Sequence, residues 1–222
     1  MRNSVRIAVL AGAVAAGAAA VAPAAQAAPK HDPVVFVHGI DAHGSDWDTM
    51  KSRFLADGYR EDELLAFEYD SSRSNADTAK QLGRFVDRAR ARTGAAKVDV
   101  VAHSMGALSS RHWMESLPGN AAVDDWVGLA APNHGTDDAY RCSSAACREM
   151  QPGSAFLREL NAGDETPGAV HYATLRSPCD RALRPSDTTA LAGARNLGAG
   201  CVAHQDFPAD PNVYQQVRDA VR

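Results

Sequence analysis

Lysine is scarce: Lys30, Lys51, Lys80 and Lys97 stand against 19 arginines, and the 23 cations together fall short of the 27 acids, a net charge of −4. With a sequence pI of about 6.0 there is no basic excess to neutralise a run of phosphates, so no nucleic-acid partner is expected. Aromatic residues make up only 6% of the chain, too few to predict a broad aromatic patch for docking on lipid. No internal repeat is present, which excludes solenoids and propellers. What remains is an ordinary soluble composition, 45% hydrophobic and 23% charged, in 222 residues, a length that suits one core.

The first residues form a separate segment. Arg2 and Arg6 precede an uncharged small-residue run, Ile7 to Ala22, and then Pro23 and the triplet Ala25-Gln26-Ala27. This is the layout of a secretory signal cut after Ala27. The run is mostly alanine and glycine, too weakly apolar to anchor in a bilayer. Residues 1–27 are therefore expected to leave a single domain of residues 28–222, exported to the extracellular space with no integral membrane segment. The mature chain has 195 residues (222 less 27) and a charge of −6 (21 less 27).

Export changes the reading of the four cysteines, because oxidising compartments favour disulfides. Sequence order makes Cys142–Cys147 a local clip and leaves Cys179–Cys201 to close a longer loop. The alternative, a metal site of Cys142, Cys147 and His134, lacks a second pair at metal spacing, and no metal is expected.

Short runs apolar on both faces recur at Val34–Val37, Leu64–Phe67, Val98–Ala102, Trp126–Ala130 and Val170–Leu175. Such runs suit buried strands of a parallel sheet. Helical periodicity separates them: Trp47, Met50, Phe54 and Leu55 before Gly58; Ala79, Leu82, Phe85, Val86 and Ala89 before Gly94; Met105, Leu108, Trp113 and Leu117 before Pro118-Gly119. Ser45-x-x-Asp48 and Ser74-x-x-Asp77 resemble capping boxes, and Asp210-Pro211 opens a last amphipathic helix carrying Val213, Val217, Ala220 and Val221. The alternation predicts βαβ units, helices on both faces of the sheet, and a ligand site beyond the carboxyl ends of the strands. Only Pro132–Pro152, polar and aperiodic, reads as a long surface loop.

In Lys97-Val98-Asp99-Val100-Val101-Ala102-His103-Ser104-Met105-Gly106 a strand runs into a helix with a serine at the junction. A sharp turn there exposes the serine hydroxyl, and small neighbours keep strand and helix from colliding. Ala102 stands where a glycine is usual. The first strand ends in His38-Gly39-Ile40, a turn that lets the next amide face a substrate oxyanion, so Ile40 and Met105 would supply two donors.

These segments, with Gly193-Ala194-Arg195-Asn196, resemble in order and spacing the small secreted bacterial lipases of class 2, the group that includes Bacillus lipase A. The resemblance implies a compact α/β-hydrolase fold, with a mostly parallel central sheet of about six strands flanked by helices on both faces. It also implies a Ser-His-Asp triad needing no cofactor, acting as a monomer on an ester or lipid substrate. In this fold the order is nucleophile, acid, base. His38, His43, His103, His112 and His134 precede any acid strand, and His171 lies inside an apolar run. His204 remains as the base, after the short apolar stretch Cys201-Val202-Ala203 and before the last helix. Asp180, after the penultimate strand, matches the family's acid, with Asp187 and Asp164 as alternatives. A Cys179–Cys201 disulfide would tie together the loops that carry acid and base. The segment from Asn133 to about Glu165 is longer than in the Bacillus member and is either a lid or pocket wall, or a pinned surface loop. Two other readings stay open: the same triad on another acyl donor, or a non-catalytic binding protein.

Overall fold

The computed structural model describes residues 31–221, so the expected signal segment lies outside the described residues. Six strands form one parallel sheet in the order β2-β1-β3-β4-β5-β6. They are β1 (Val34–Val37), β2 (Leu64–Phe67), β3 (Val98–His103), β4 (Val123–Leu129), β5 (His171–Arg176) and β6 (Arg195–Gly198). The chain steps outward from β1 to β2, then crosses to β3 on the other side of β1. Right-handed crossovers therefore place helices on opposite faces of the sheet.

Side-chain alternation assigns those faces. Val34 and Phe36 pack with Met50 and Phe54 of α1 (Asp48–Ala56) and with Val213 and Val217 of α6 (Pro211–Ala220). Val35 and Val37 pack with Leu82 and Val86 of α2 (Asn75–Thr93) and Leu108 of α3 (Gly106–Ser116). All four β1 residues are fully buried, which is why their sequence reads as a continuous apolar run.

The caps agree with the sequence in two places of three. Ser74 accepts from the Ala76 amide at the start of α2, and Asp210 accepts from the Asn212 and Val213 amides ahead of Pro211. At the third, a 3₁₀ turn (Gly44–Trp47) precedes α1, and its entry is made by Asp46 accepting from the His43 amide rather than by Ser45. Gly94 ends α2 at φ 74°, a left-handed position that favours glycine.

Residues 132–152 are not a plain surface loop. They hold a 3₁₀ turn (Asp137–Arg141) and α4 (Ala145–Met150), followed by α5 (Ala155–Leu160), and they bury Ala139, Ala146 and Met150 against the α2/α3 side of the core. Six-residue helices are too short to display a period, so the sequence looked structureless. β6 is an edge strand, mostly exposed and paired only with β5, and has no apolar run to betray it. Among the described residues no helix is long and apolar enough to cross a membrane.

Candidate active site

Ser104 sits between β3 and α3 with φ 52°, one of three non-glycine residues described with positive φ. That strain is what a sharp strand-to-helix turn stores. Two glycines make room for it. A Cβ on Gly106 would collide with the Val37 and His38 carbonyl oxygens, and one on Gly39 would lie 2.9 Å from the Ser104 Cβ. Ala102, fully buried beside Val37 and Gly128, shows that this position accepts a methyl group.

An unbroken hydrogen-bond chain leads away from the serine. His204 Nε2 lies 2.9 Å from Ser104 Oγ, and His204 Nδ1 lies 2.7 Å from Asp180 Oδ2. Asp180 Oδ1 accepts from the Ala182 and Leu183 amides at 2.9 and 3.2 Å. Burial pushes the Asp180 pKa up, but the hydrogen bond and charge of His204 and the two amides outweigh it, and the net shift is below the usual value. The alternative acids lie elsewhere: Asp187 is exposed on a 3₁₀ turn, and Asp164 is exposed and accepts from the Thr166 amide.

The loops carrying Asp180 and His204 are joined twice. The Cys179–Cys201 disulfide spans them, and the buried Ser177 hydroxyl accepts from the Cys179 amide at 3.0 Å and the Val202 amide at 2.8 Å. Cys142–Cys147 forms the second disulfide, so those sulfurs are unavailable to a metal. His134 instead meets Glu165 at 2.7 Å. His171, at the start of β5 and the opposite end of the sheet, meets Asp125 at 3.1 Å.

Sequence reasoning passed over His103 as a base, and the structure gives it another place. Its Nε2 donates to the His204 carbonyl at 2.9 Å, which fixes the tautomer because a carbonyl only accepts. Burial, aided by repulsion from His204, lowers its pKa to about 3, so it stays neutral beneath the His204 ring.

The Ile40 and Met105 amides have no hydrogen-bond acceptor among the described residues; Met105 directly follows Ser104, and Ile40 lines the same cleft as Ser104. The turn that carries Ile40 is held by the loop after β2. Tyr69 donates its hydroxyl to the His38 carbonyl at 2.6 Å, Ser71 accepts from the Asp41 amide at 3.0 Å, and Glu68 accepts from the Gly44 amide at 2.7 Å. Burial raises the Tyr69 pKa, which keeps its proton in place to donate. None of the three carried a sequence signal, because each role depends on a neighbour 24 to 31 positions away. Tyr69→Phe leaves the buried His38 carbonyl unpaired, a cost of about 1–3 kcal/mol. We expect kcat for any turnover at Ser104 to fall about tenfold with little change in KM; a larger change in KM than in kcat would show that Tyr69 does not set the turn that carries Ile40.

A cleft of about 140 Å³ opens at Ser104, bounded by Ile40, Thr136, Ala139, Met150, Leu183 and His204. The sequence profile of the family described as Lipase (class 2) matches residues 31–198. The fold is similar to that of the Bacillus licheniformis lipase BlEst2 in mature form, with a TM-score of 0.75 and 16% identity over 87% of this chain and 94% of that one. Aspergillus fumigatus lipase B gives 0.73 and 17% identity over 89% of this chain but 54% of the larger fungal one. A Listeria innocua gene product gives 0.64 and 13%, covering 86% and 94%. The chain belongs to the class 2 lipase family, carboxylic ester hydrolases built on the α/β-hydrolase fold.

Proposed function

We propose that this protein is an exported serine esterase in which Ser104 is the nucleophile, His204 the general base, Asp180 its orienting carboxylate, and the Ile40 and Met105 amides the oxyanion donors. The hydrogen-bond chain from Ser104 through His204 to Asp180 carries this reading. His204 Nε2 takes the Ser104 proton as Oγ attacks the ester carbonyl, and the two amides receive the charge that develops on the carbonyl oxygen. His204 then returns the proton to the leaving alkoxide, giving an alcohol and an acyl-Ser104. Water, deprotonated by the same nitrogen, attacks the acyl carbon, and the proton passes back to Ser104 as the carboxylic acid leaves. No step calls for a metal or cofactor.

Two observations support export: the signal layout of residues 1–27, and the pairing of all four cysteines in disulfides.

The test is covalent labelling of the folded mature protein with a fluorophosphonate, located by peptide mass spectrometry, alongside p-nitrophenyl butyrate turnover. A single adduct on Ser104 and matching loss of turnover are expected. A folded protein that neither labels nor hydrolyses the ester would move the weight to a binding role.

A further inference from the structure

We propose that residues 136–150 form a fixed wall that closes the acyl end of the Ser104 cleft and restricts the enzyme to acyl chains of about six carbons or fewer. This rests on the reading of Ser104 as nucleophile.

Two openings flank His204. The cleft of about 140 Å³ is lined by Thr136, Ala139 and Met150 of the wall together with Ile40 and Leu183. Beyond the ring, Ala182, Arg184, Ala203 and Gln205 line a more open groove. His204 must hand its proton to the departing alcohol, and the more open groove that it lines with Ala203 and Gln205 leaves room for that group. The acyl chain takes the less open cleft. A dry apolar cavity of about 150 Å³ holds one benzene, a group of six carbons, and this cleft is slightly smaller.

The wall is fastened at each end rather than hinged. Thr136 donates its hydroxyl to the Ala182 carbonyl at 2.9 Å and its amide to the Met150 carbonyl at 3.0 Å, and the Asp137 amide donates to the Arg184 carbonyl at 3.0 Å. At the other end the Glu149 carboxylate accepts from the Ser74 hydroxyl (2.7 Å), the Asn75 amide (2.6 Å) and the Asn75 side chain (2.9 Å) at the start of α2. Cys142–Cys147 clips the middle, and Ala139, Ala146 and Met150 are buried in the core. The Thr136–Met150 bond and the disulfide tie the segment to itself, and a lid that swings open would have to break the bonds to Ala182, Arg184, Ser74 and Asn75 together and uncover Ala139, Ala146 and Met150. The surface offers little for a lipid to trigger such a movement, since Leu55 and Tyr140 are the large hydrophobics exposed among the described residues.

The experiment measures kcat/KM on p-nitrophenyl esters from acetate to palmitate, and the rate on tributyrin below and above its solubility limit. We expect a maximum at butyrate to hexanoate, at least a tenfold fall by octanoate, and no jump in rate when tributyrin droplets form. Met150→Ala, which lengthens the cleft, should raise the octanoate-to-butyrate ratio about tenfold, and Ala139→Val, which shortens it, should lower the hexanoate-to-acetate ratio. Either variant serves if the other does not fold. A maximum at decanoate or beyond, or a jump at the solubility limit, overturns the fixed wall while leaving the Ser104 reading intact. Turnover of none of the esters would instead sink that reading and this one with it.

Discussion

Ser104→Ala is expected to lower kcat for ester hydrolysis by about 10⁴- to 10⁶-fold, and His204→Ala by a similar factor. On the proposed reading Ser104 and His204 act as one unit across their 2.9 Å contact, so the double variant should be no slower than either single one. The amides of Ile40 and Met105, the proposed oxyanion donors, are untouched by these changes and would sustain what activity remains. Stability should move the other way. Ser104 holds a backbone at φ 52° that costs a non-glycine residue about 1–3 kcal/mol. Ser104→Gly removes both the hydroxyl and the strain, and should raise the melting temperature as it abolishes turnover. Thermal unfolding and ester kinetics on Ser104→Ala and Ser104→Gly check this pair of effects. A glycine variant less stable than the parent would show that the turn is not strained, and an alanine variant retaining more than a hundredth of the rate would show that Ser104 is not the nucleophile.

The parts of this site that were legible in the sequence are those whose signal is local. β1 and β3 are buried on both faces, so they read as apolar runs, and the serine between β3 and α3 is visible as a break in that pattern. His204 emerged from chain order once the fold was suspected. Asp180 did not stand out by itself, because exposed loop aspartates such as Asp164 and Asp187 share its sequence surroundings; the match to a family segment singled it out. The supporting groups were illegible. Ser177 accepts from amides two and 25 positions away, and Tyr69 donates to a carbonyl 31 positions back. A hydroxyl's partner is set by tertiary proximity, and no spacing rule encodes it. The same holds for residues 136–150, whose hold on α2 runs through Glu149, an acid that looks like any other until Asn75 is placed beside it.

Asp180→Asn should lower kcat at pH 7 by about 10⁴-fold while leaving the cleft unchanged in shape. The reason lies in which oxygen is committed. Asp180 Oδ1 accepts from the Ala182 and Leu183 amides, so the single carbonyl oxygen of an asparagine must stay there to keep those donors paired. Its amide nitrogen then takes the place of Oδ2, 2.7 Å from His204 Nδ1, and presents a hydrogen where a lone pair is needed. Nδ1 becomes an acceptor, the imidazole proton moves to Nε2, and the ring can no longer take the Ser104 proton. Nitrogen-15 NMR of the histidine rings would register the exchange of tautomers directly. The stability difference between parent and variant should depend on pH in one direction. The Asp180 pKa is depressed in the folded protein, so its contribution is fully present above the ordinary aspartate value of 3.8 and is lost as pH falls through the lower folded value. The parent should therefore be the more stable at pH 7, and the gap should close in strong acid. If Asp180→Asn kept a tenth of the parent kcat at neutral pH, the carboxylate would not be what orients His204, and the acid of the triad would have to be sought elsewhere.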